Sequence, residues 1–256
     1  MSATTQAAND PAMPKLFLPG ETLGAGAGVS WVSEGWDLFK KSPVMWIVMF
    51  LVVAVIAVVL AFIPFLGQLA FQIITPVIAG GFVMACWSVE NGGELEFEHL
   101  FAGFKRNFKS LAIVGVIYLV ASLVIMVIMF LPVGLSIIPV LFTAGGDADA
   151  AAIALGTMGV GFAISALIAL GLGVMLAAAY WFAPALVIMH GLSPIDAMKA
   201  SFFASFRNFI PFLVYGIVLC LLLIPVMLTL GLGILVWVPV AIASSYRAYR
   251  QIFTEE

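Results

Sequence analysis

His190, Ser193 and Asp196 are the residue types of a hydrolytic trio, and they lie close together in the chain. Nucleophilic catalysis needs a hydroxyl, a histidine to take its proton and a carboxylate to orient the histidine. Geometry makes such a triad, not adjacency in sequence. Here Ser193 is followed by Pro194 and Asp196. Serine at the N-cap, proline at the first helical position and an acid in the first turn predict a helix start. The cap accounts for the serine, so no catalytic residue is assigned and the chain is expected not to be an enzyme. Asp147 and Asp149 offer too few oxygens for calcium, which takes six to eight. Cys86 and Cys220 sit in apolar runs and read as small apolar side chains. His99 is expected on the polar face of an amphipathic segment. Gly24-Ala25-Gly26-Ala27-Gly28 lacks the preceding strand and following Lys-Ser/Thr of a phosphate loop, so a flexible linker is expected. No cofactor or metal is implied, and no nucleic-acid partner.

The cations carry more information. All but Lys15 of the ten Lys and Arg residues fall at Lys40, Lys41, Lys105, Arg106, Lys109, Lys199, Arg207, Arg247 and Arg250. Phe104-Lys105-Arg106-Asn107-Phe108 recurs as Phe206-Arg207-Asn208-Phe209 and, more loosely, as Phe39-Lys40-Lys41-Ser42. Each copy ends a short amphipathic segment and opens a long apolar run. Lys105, Arg106, Lys109 and Arg207 are therefore the candidate ligands of lipid headgroups, because a basic side chain beside an anionic leaflet is attracted to it.

Charged residues make up 9% of the chain and hydrophobic ones 64%, with mean hydropathy +1.22. A soluble domain is nearer a quarter charged. Runs longer than the ~18 apolar residues of a spanning helix recur, so the chain is predicted to be an all-α, polytopic transmembrane helical bundle of about six spans. No signal peptide is visible. Residues 1–29, rich in Ala, Pro and Gly, are expected to be a disordered cytoplasmic tail. Residues 30–256 form one transmembrane domain with units 30–93, 94–192 and 193–256. Each unit is an interfacial amphipathic helix followed by a membrane hairpin. Expected interfacial stripes are Val32, Trp36 and Phe39; then Phe97, Leu100 or Phe101, Phe104 and Phe108; then Ile195, Met198, Phe202 and Phe206.

The expected spans are 44–66 and 69–89 joined at Gly67-Gln68, then 109–131 and 161–189, then 209–230 and 232–245. Residues 132–160, interrupted by Pro132, Gly134 and Pro139, are read as an outer lid. Gly161, Ser165, Ala169, Gly173 and Ala177 are small at every fourth position. Such a smooth ridge lets another helix approach closely, and helix packing is the reading preferred over a lipid groove. In this topology all the cations except Lys15 lie on one side, which the positive-inside rule makes cytoplasmic along with both termini. No Asp, Glu, Lys or Arg lies clearly inside a span, which argues against ion-coupled transport.

The chain resembles a family of uncharacterised bacterial inner-membrane proteins through Trp31-x3-Gly35-Trp36-x-Leu38-Phe39-x3-Pro43, Thr75-Pro76-x3-Gly80-Gly81 and Leu100-Phe101-x-Gly103-Phe104. Its second half resembles a wider group that includes the membrane domain fused to some glycerophosphodiester phosphodiesterases. Phe182-Ala183-Pro184-Ala185 and Ser193-Pro194-Ile195-Asp196-Ala197 running to Ser201 carry that likeness. The resemblance implies six spans and an inner-membrane location, and transfers no catalytic residue. Two functions are weighed: a non-catalytic protein engaging lipids, anionic ones among them, or a membrane-protein partner or second copy through its cytoplasmic face; and a carrier or flippase-like protein for an apolar molecule.

Overall fold

A computed structural model of the chain describes residues 13–143 and 148–254. Three hairpins share one plan. Helix α1 (Ala27–Lys41) turns at Ser42 into α2 (Pro43–Ala61), and α3 (Leu66–Glu90) returns. A 3-10 turn (Phe97–Phe101) and the single-turn α4 (Ala102–Lys105) lead through Arg106-Asn107 into α5 (Phe108–Thr143). The chain returns along α6 (Ala148–Trp181) and α7 (Ala183–His190). Finally α8 (Pro194–Arg207) turns at Asn208 into α9 (Phe209–Leu221) and α10 (Leu223–Leu228), and α11 (Ile234–Phe253) returns. The three elbows define one end of the bundle, the elbow face. The architecture is all-α, as the sequence predicts.

Among the described residues five segments are long and apolar enough to cross a bilayer: Pro43–Ala61, Leu66–Glu90, Phe108–Leu135, Gly156–His190 and Phe209–Leu228. The sixth expected crossing is α11, which is apolar only in its first half. The second half carries Tyr246, Arg247, Tyr249, Arg250 and Gln251. It can sit in the bundle because protein surrounds it: Tyr246, Ala248, Tyr249, Ile252 and Phe253 are buried. Helix α3 is the central span. Half of its apolar window is buried in protein, against 11% for α2.

The elbows correct the sequence reading in several places. In α1 the buried face is Trp31, Val32, Gly35, Leu38 and Phe39, while Trp36 is largely exposed. The second unit has no continuous interfacial helix over 94–108. It has the 3-10 turn and the short α4, and the turn is capped reciprocally by Glu96 and His99. In α8 small residues (Ala197, Ser201, Ala204, Ser205) with Met198 face inward, while Ile195, Phe203 and Phe206 face out. The first hairpin turns at 62–65, not at Gly67-Gln68. Pro64 has no N–H to continue a helix, and Phe65 takes a positive φ of 59°.

The expected lid over 132–160 is instead helical over 132–143 and 148–160, and residues 144–147 lie outside the described residues. Helix α5 runs 36 residues straight through Pro132, Gly134 and Pro139, about 54 Å at 1.5 Å per residue. Proline is tolerated in membrane helices where neighbours satisfy freed backbone groups. Here Pro132 deprives the Ile128 carbonyl of its helical donor, and the Ser165 hydroxyl of α6 donates to the neighbouring Met129 carbonyl (2.9 Å).

The tail also needs correction, since residues 13–29 belong to the fold; residues 1–12 lie outside the described residues. Residues 13–26 form a strap across the elbow face. The amides of Phe17 and Glu21 donate to the carbonyls of Phe253 and Ile252 (2.7 and 2.8 Å). Met13, Leu16 and Leu23 pack on the core. The expected linker at Gly24–Gly28 is a turn and the first residues of α1. A side chain on Gly28 would run into the backbone of Pro211 and Tyr215.

Candidate functional site

The repeated Arg-Asn-Phe tripeptide is first a structural corner. Asn208 is fully buried at its elbow. Its side-chain oxygen accepts from the Leu23 amide (2.8 Å), and its amide nitrogen donates to the carbonyls of Glu21 (2.9 Å) and Ala204 (3.0 Å). It therefore ties the strap to the third elbow. Asn107 adopts φ 55°, a left-handed conformation that asparagine tolerates. Its amide donates to the Val187 carbonyl on α7 (2.8 Å). The corners leave the adjacent cations outside. Lys105, Arg106, Lys109 and Arg207 are all exposed, divided between two elbows. Lys105 reaches the exposed Glu98 at 3.4 Å, a solvent-screened contact. Arg207 approaches only the Pro19 carbonyl (3.5 Å) among its described contacts. Beside the first group Phe97, Phe101, Phe104 and Phe108 form a ladder of ring contacts, centroids 5.4–6.2 Å apart, each ring more than a third exposed.

A second polar centre lies beneath the elbows and was not anticipated. Arg247 on α11 pairs with both Glu34 of α1 and Glu90 at the end of α3. Arg250 also reaches Glu90 (3.3 Å), and the Tyr246 hydroxyl donates to it (2.5 Å). Gln251 donates to Glu34 (2.8 Å) and accepts from the indole N–H of Trp31 (2.9 Å). Glu90 and Arg247 are about four-fifths buried. Burial, and then the Glu90 carboxylate, push the Tyr246 phenol far above its usual range, so it remains a donor. Burial works against the Arg247 charge, but Glu34 and Glu90 outweigh it and raise its pKa. The cluster locks α1, α3 and α11 together.

The hydrolytic trio does not converge. Ser193 donates to the Asp196 carboxylate (2.6 Å) and accepts from its amide (3.2 Å), the helix cap expected from sequence. His190 instead bonds the Tyr249 hydroxyl (2.5 Å). Asp147 lies outside the described residues.

Along the small-residue ridge, Ser165 and Ala169 are buried, and Gly161 faces Pro132 of α5. Gly173 has open space around it. Ala177, the last member, lines a cavity of about 500 Å³. The cavity lies between α3, α5, α6, α7 and α11 in the elbow-side half of the bundle, reaching Val53 of α2 and Thr75 of α3. A helix break shapes it. The Ser201 hydroxyl of α8 inserts into the rung between residues 178 and 182: it accepts from the Phe182 amide (2.9 Å) and donates to the Ala178 carbonyl (2.7 Å). A side chain inserted into the helix ladder is a standard cause of a kink. The two stretches carrying the second-half resemblance, around Phe182 and up to Ser201, thus meet at this break.

The sequence reading missed the charge cluster because its partners lie up to 220 residues apart. The signal that could have found it was Glu90, the acid ending a central span, with no cation nearby in sequence.

No family model and no solved structure matches the chain, and the likeness to the phosphodiesterase-fused membrane domain gains no support from the comparisons. Five apolar spans and an all-helical bundle make the chain a polytopic membrane protein, and it is similar to a probable inner membrane protein of Burkholderia thailandensis, 28% identical over 76% of this chain and 73% of that one.

Proposed function

We propose that this protein is a non-catalytic component of the bacterial inner membrane that engages anionic lipid headgroups through its elbow face, with that face and both termini cytoplasmic. The observation that carries the reading is the exposure of Lys105, Arg106, Lys109 and Arg207 beside outward-facing phenylalanines. Phe104, Phe108, Phe206 and Phe209 are all more than 40% exposed. Such rings partition into the headgroup and acyl boundary and hold neighbouring cations at phosphate depth. Each cation near an anionic leaflet contributes ~1 kcal/mol, so four contribute a few kcal/mol. The clustering of basic residues at the elbows supports the orientation through the positive-inside rule, and the relative's name supports the inner membrane.

The test is lipid retention after purification, comparing wild type with a variant combining Lys105→Gln, Arg106→Gln, Lys109→Gln and Arg207→Gln. Wild type should retain cardiolipin or phosphatidylglycerol preferentially, and the folded variant should lose that preference. Equal retention would reduce these residues to topology signals and favour a membrane-protein partner or a second copy on this face. A carrier for an apolar molecule is the second reading, favoured by the cavity.

A further inference from the structure

Tyr180 lines the central cavity, and its hydroxyl is buried with no hydrogen-bond partner among the described residues. Unpaired buried hydroxyls are rare, because leaving one unmade costs stability. Four other hydroxyls around the cavity are committed elsewhere, that of Tyr249 to His190. Thr75 donates to the Phe71 carbonyl, Ser245 to the Ala241 carbonyl and Tyr246 to Glu90. Tyr118 meets Tyr180 through its ring, centroids 4.7 Å apart. No side chain lining the cavity carries a formal charge, so a carboxylate or phosphate inside would lack a counter-charge and be strongly disfavoured. The volume of about 500 Å³ falls within the range of small-molecule sites, roughly 300–1,000 Å³.

An apolar groove on the outer surface adjoins the cavity. Ala177 and Trp181 line both this cavity and a second, apolar groove between α6, α8 and α9. That groove includes the lipid-facing Phe206 and Phe209. Ala177 and Trp181 form part of the wall that the cavity and the groove share.

We propose that the cavity binds an uncharged amphiphile, whose carbonyl oxygen accepts the Tyr180 hydroxyl while its apolar body fills the remainder. A membrane quinone and a neutral glycerolipid ester both present that chemistry. The site rests on the cavity that favours the carrier reading, and it stands whether or not the ligand is carried across. It uses none of the four elbow cations.

Thermal unfolding of the full-length protein in detergent tests the proposal, with decylubiquinone, dioctanoylglycerol and oleate as probes. At least one carbonyl probe should raise the wild-type midpoint in a saturable way, and charged oleate should not. Response to the quinone alone, or to the glycerolipid alone, identifies the source. Tyr180→Phe keeps the ring and removes the unpaired hydroxyl, so the unliganded variant should melt at or above wild type. Its half-saturating probe concentration should rise about five- to tenfold, the effect of one lost hydrogen bond. Ala79→Leu, which fills the cavity, should abolish the response; if it does not fold, Tyr180→Phe decides. The variant with four elbow glutamines should titrate like wild type, which separates this site from headgroup binding. No response from wild type to either carbonyl probe, an unchanged titration in Tyr180→Phe, or equal binding of oleate would overturn the proposal.

Discussion

Within the single helix α2 two environments meet. Near its elbow, Trp46 and Met49 are fully buried, while toward the other end Val55, Val58 and Val59 are 56–60% exposed. In α9 the buried Pro211 and Tyr215 likewise lie toward the elbow, although Phe209, Ile210 and Leu213 beside them are about as exposed as Ile217 and Leu221 farther along. The elbow half of the bundle is packed like the core of a soluble protein and tied by ion pairs and by asparagine and serine bonds. The far half presents apolar side chains outward. Both ends of α2 are apolar in sequence, so hydrophobicity does not distinguish its two environments. Lipid tails are as apolar as leucine and give little drive for helices to associate. Close backbone packing and polar bonds hold the elbow half together, and the far half is solvated by lipid.

That comparison can be broken or sharpened by substitution. The largest effect should come from Glu90→Ala, which removes a carboxylate shared by Arg247, Arg250 and Tyr246. Leaving a mostly buried guanidinium short of a partner should cost about 3 kcal/mol, read from reversible unfolding in mixed micelles. Gly103→Ala should follow, at about 2 kcal/mol from overpacking. The glycine lies directly against the Val77 carbonyl, so an added methyl forces α4 away from α3. Asn208→Ala should cost about 1–2 kcal/mol by orphaning the Leu23 amide and the Glu21 carbonyl. It should also expose residues 13–26 to limited proteolysis while the bundle stays intact. Val58→Ala and Ile217→Ala, on the lipid-facing half, should change stability by no more than about 0.5 kcal/mol. A loss from Val58→Ala equal to that from Glu90→Ala would erase the distinction between the halves.

The sequence made one part of this legible. Three Phe-basic repeats before apolar runs revealed the elbows, because amphipathic periodicity and charge clustering are local signals. It also revealed the Ser193 cap, whose partner is three residues away. What it hid depends on distant partners. The strap looked unstructured because its Pro, Gly and Ala residues bury little surface themselves; its order comes from Asn208 and the backbone of 252–253. In the repeat the cations drew attention, while the asparagine between them and the phenylalanine does the bracing. Pro132 and Gly134 suggested a break in α5, since their cost in a soluble helix is high; in the bundle α6 packs beside that turn and Ser165 bonds the Met129 carbonyl. The cavity was invisible, because it arises where Ser201 opens the rung at Phe182.

The proposed orientation puts the packed, charged half on the cytoplasmic side, at the anionic leaflet. Single cysteines decide this most directly, introduced as Asp147→Cys, Lys105→Cys or Arg207→Cys in a background of Cys86→Ala and Cys220→Ser. Intact cells are treated with a membrane-impermeant thiol reagent. The account predicts that the cysteine at 147 is labelled from outside, and that those at 105 and 207 react only after the membrane is opened. Labelling of 207 in intact cells with protection of 147 would contradict it.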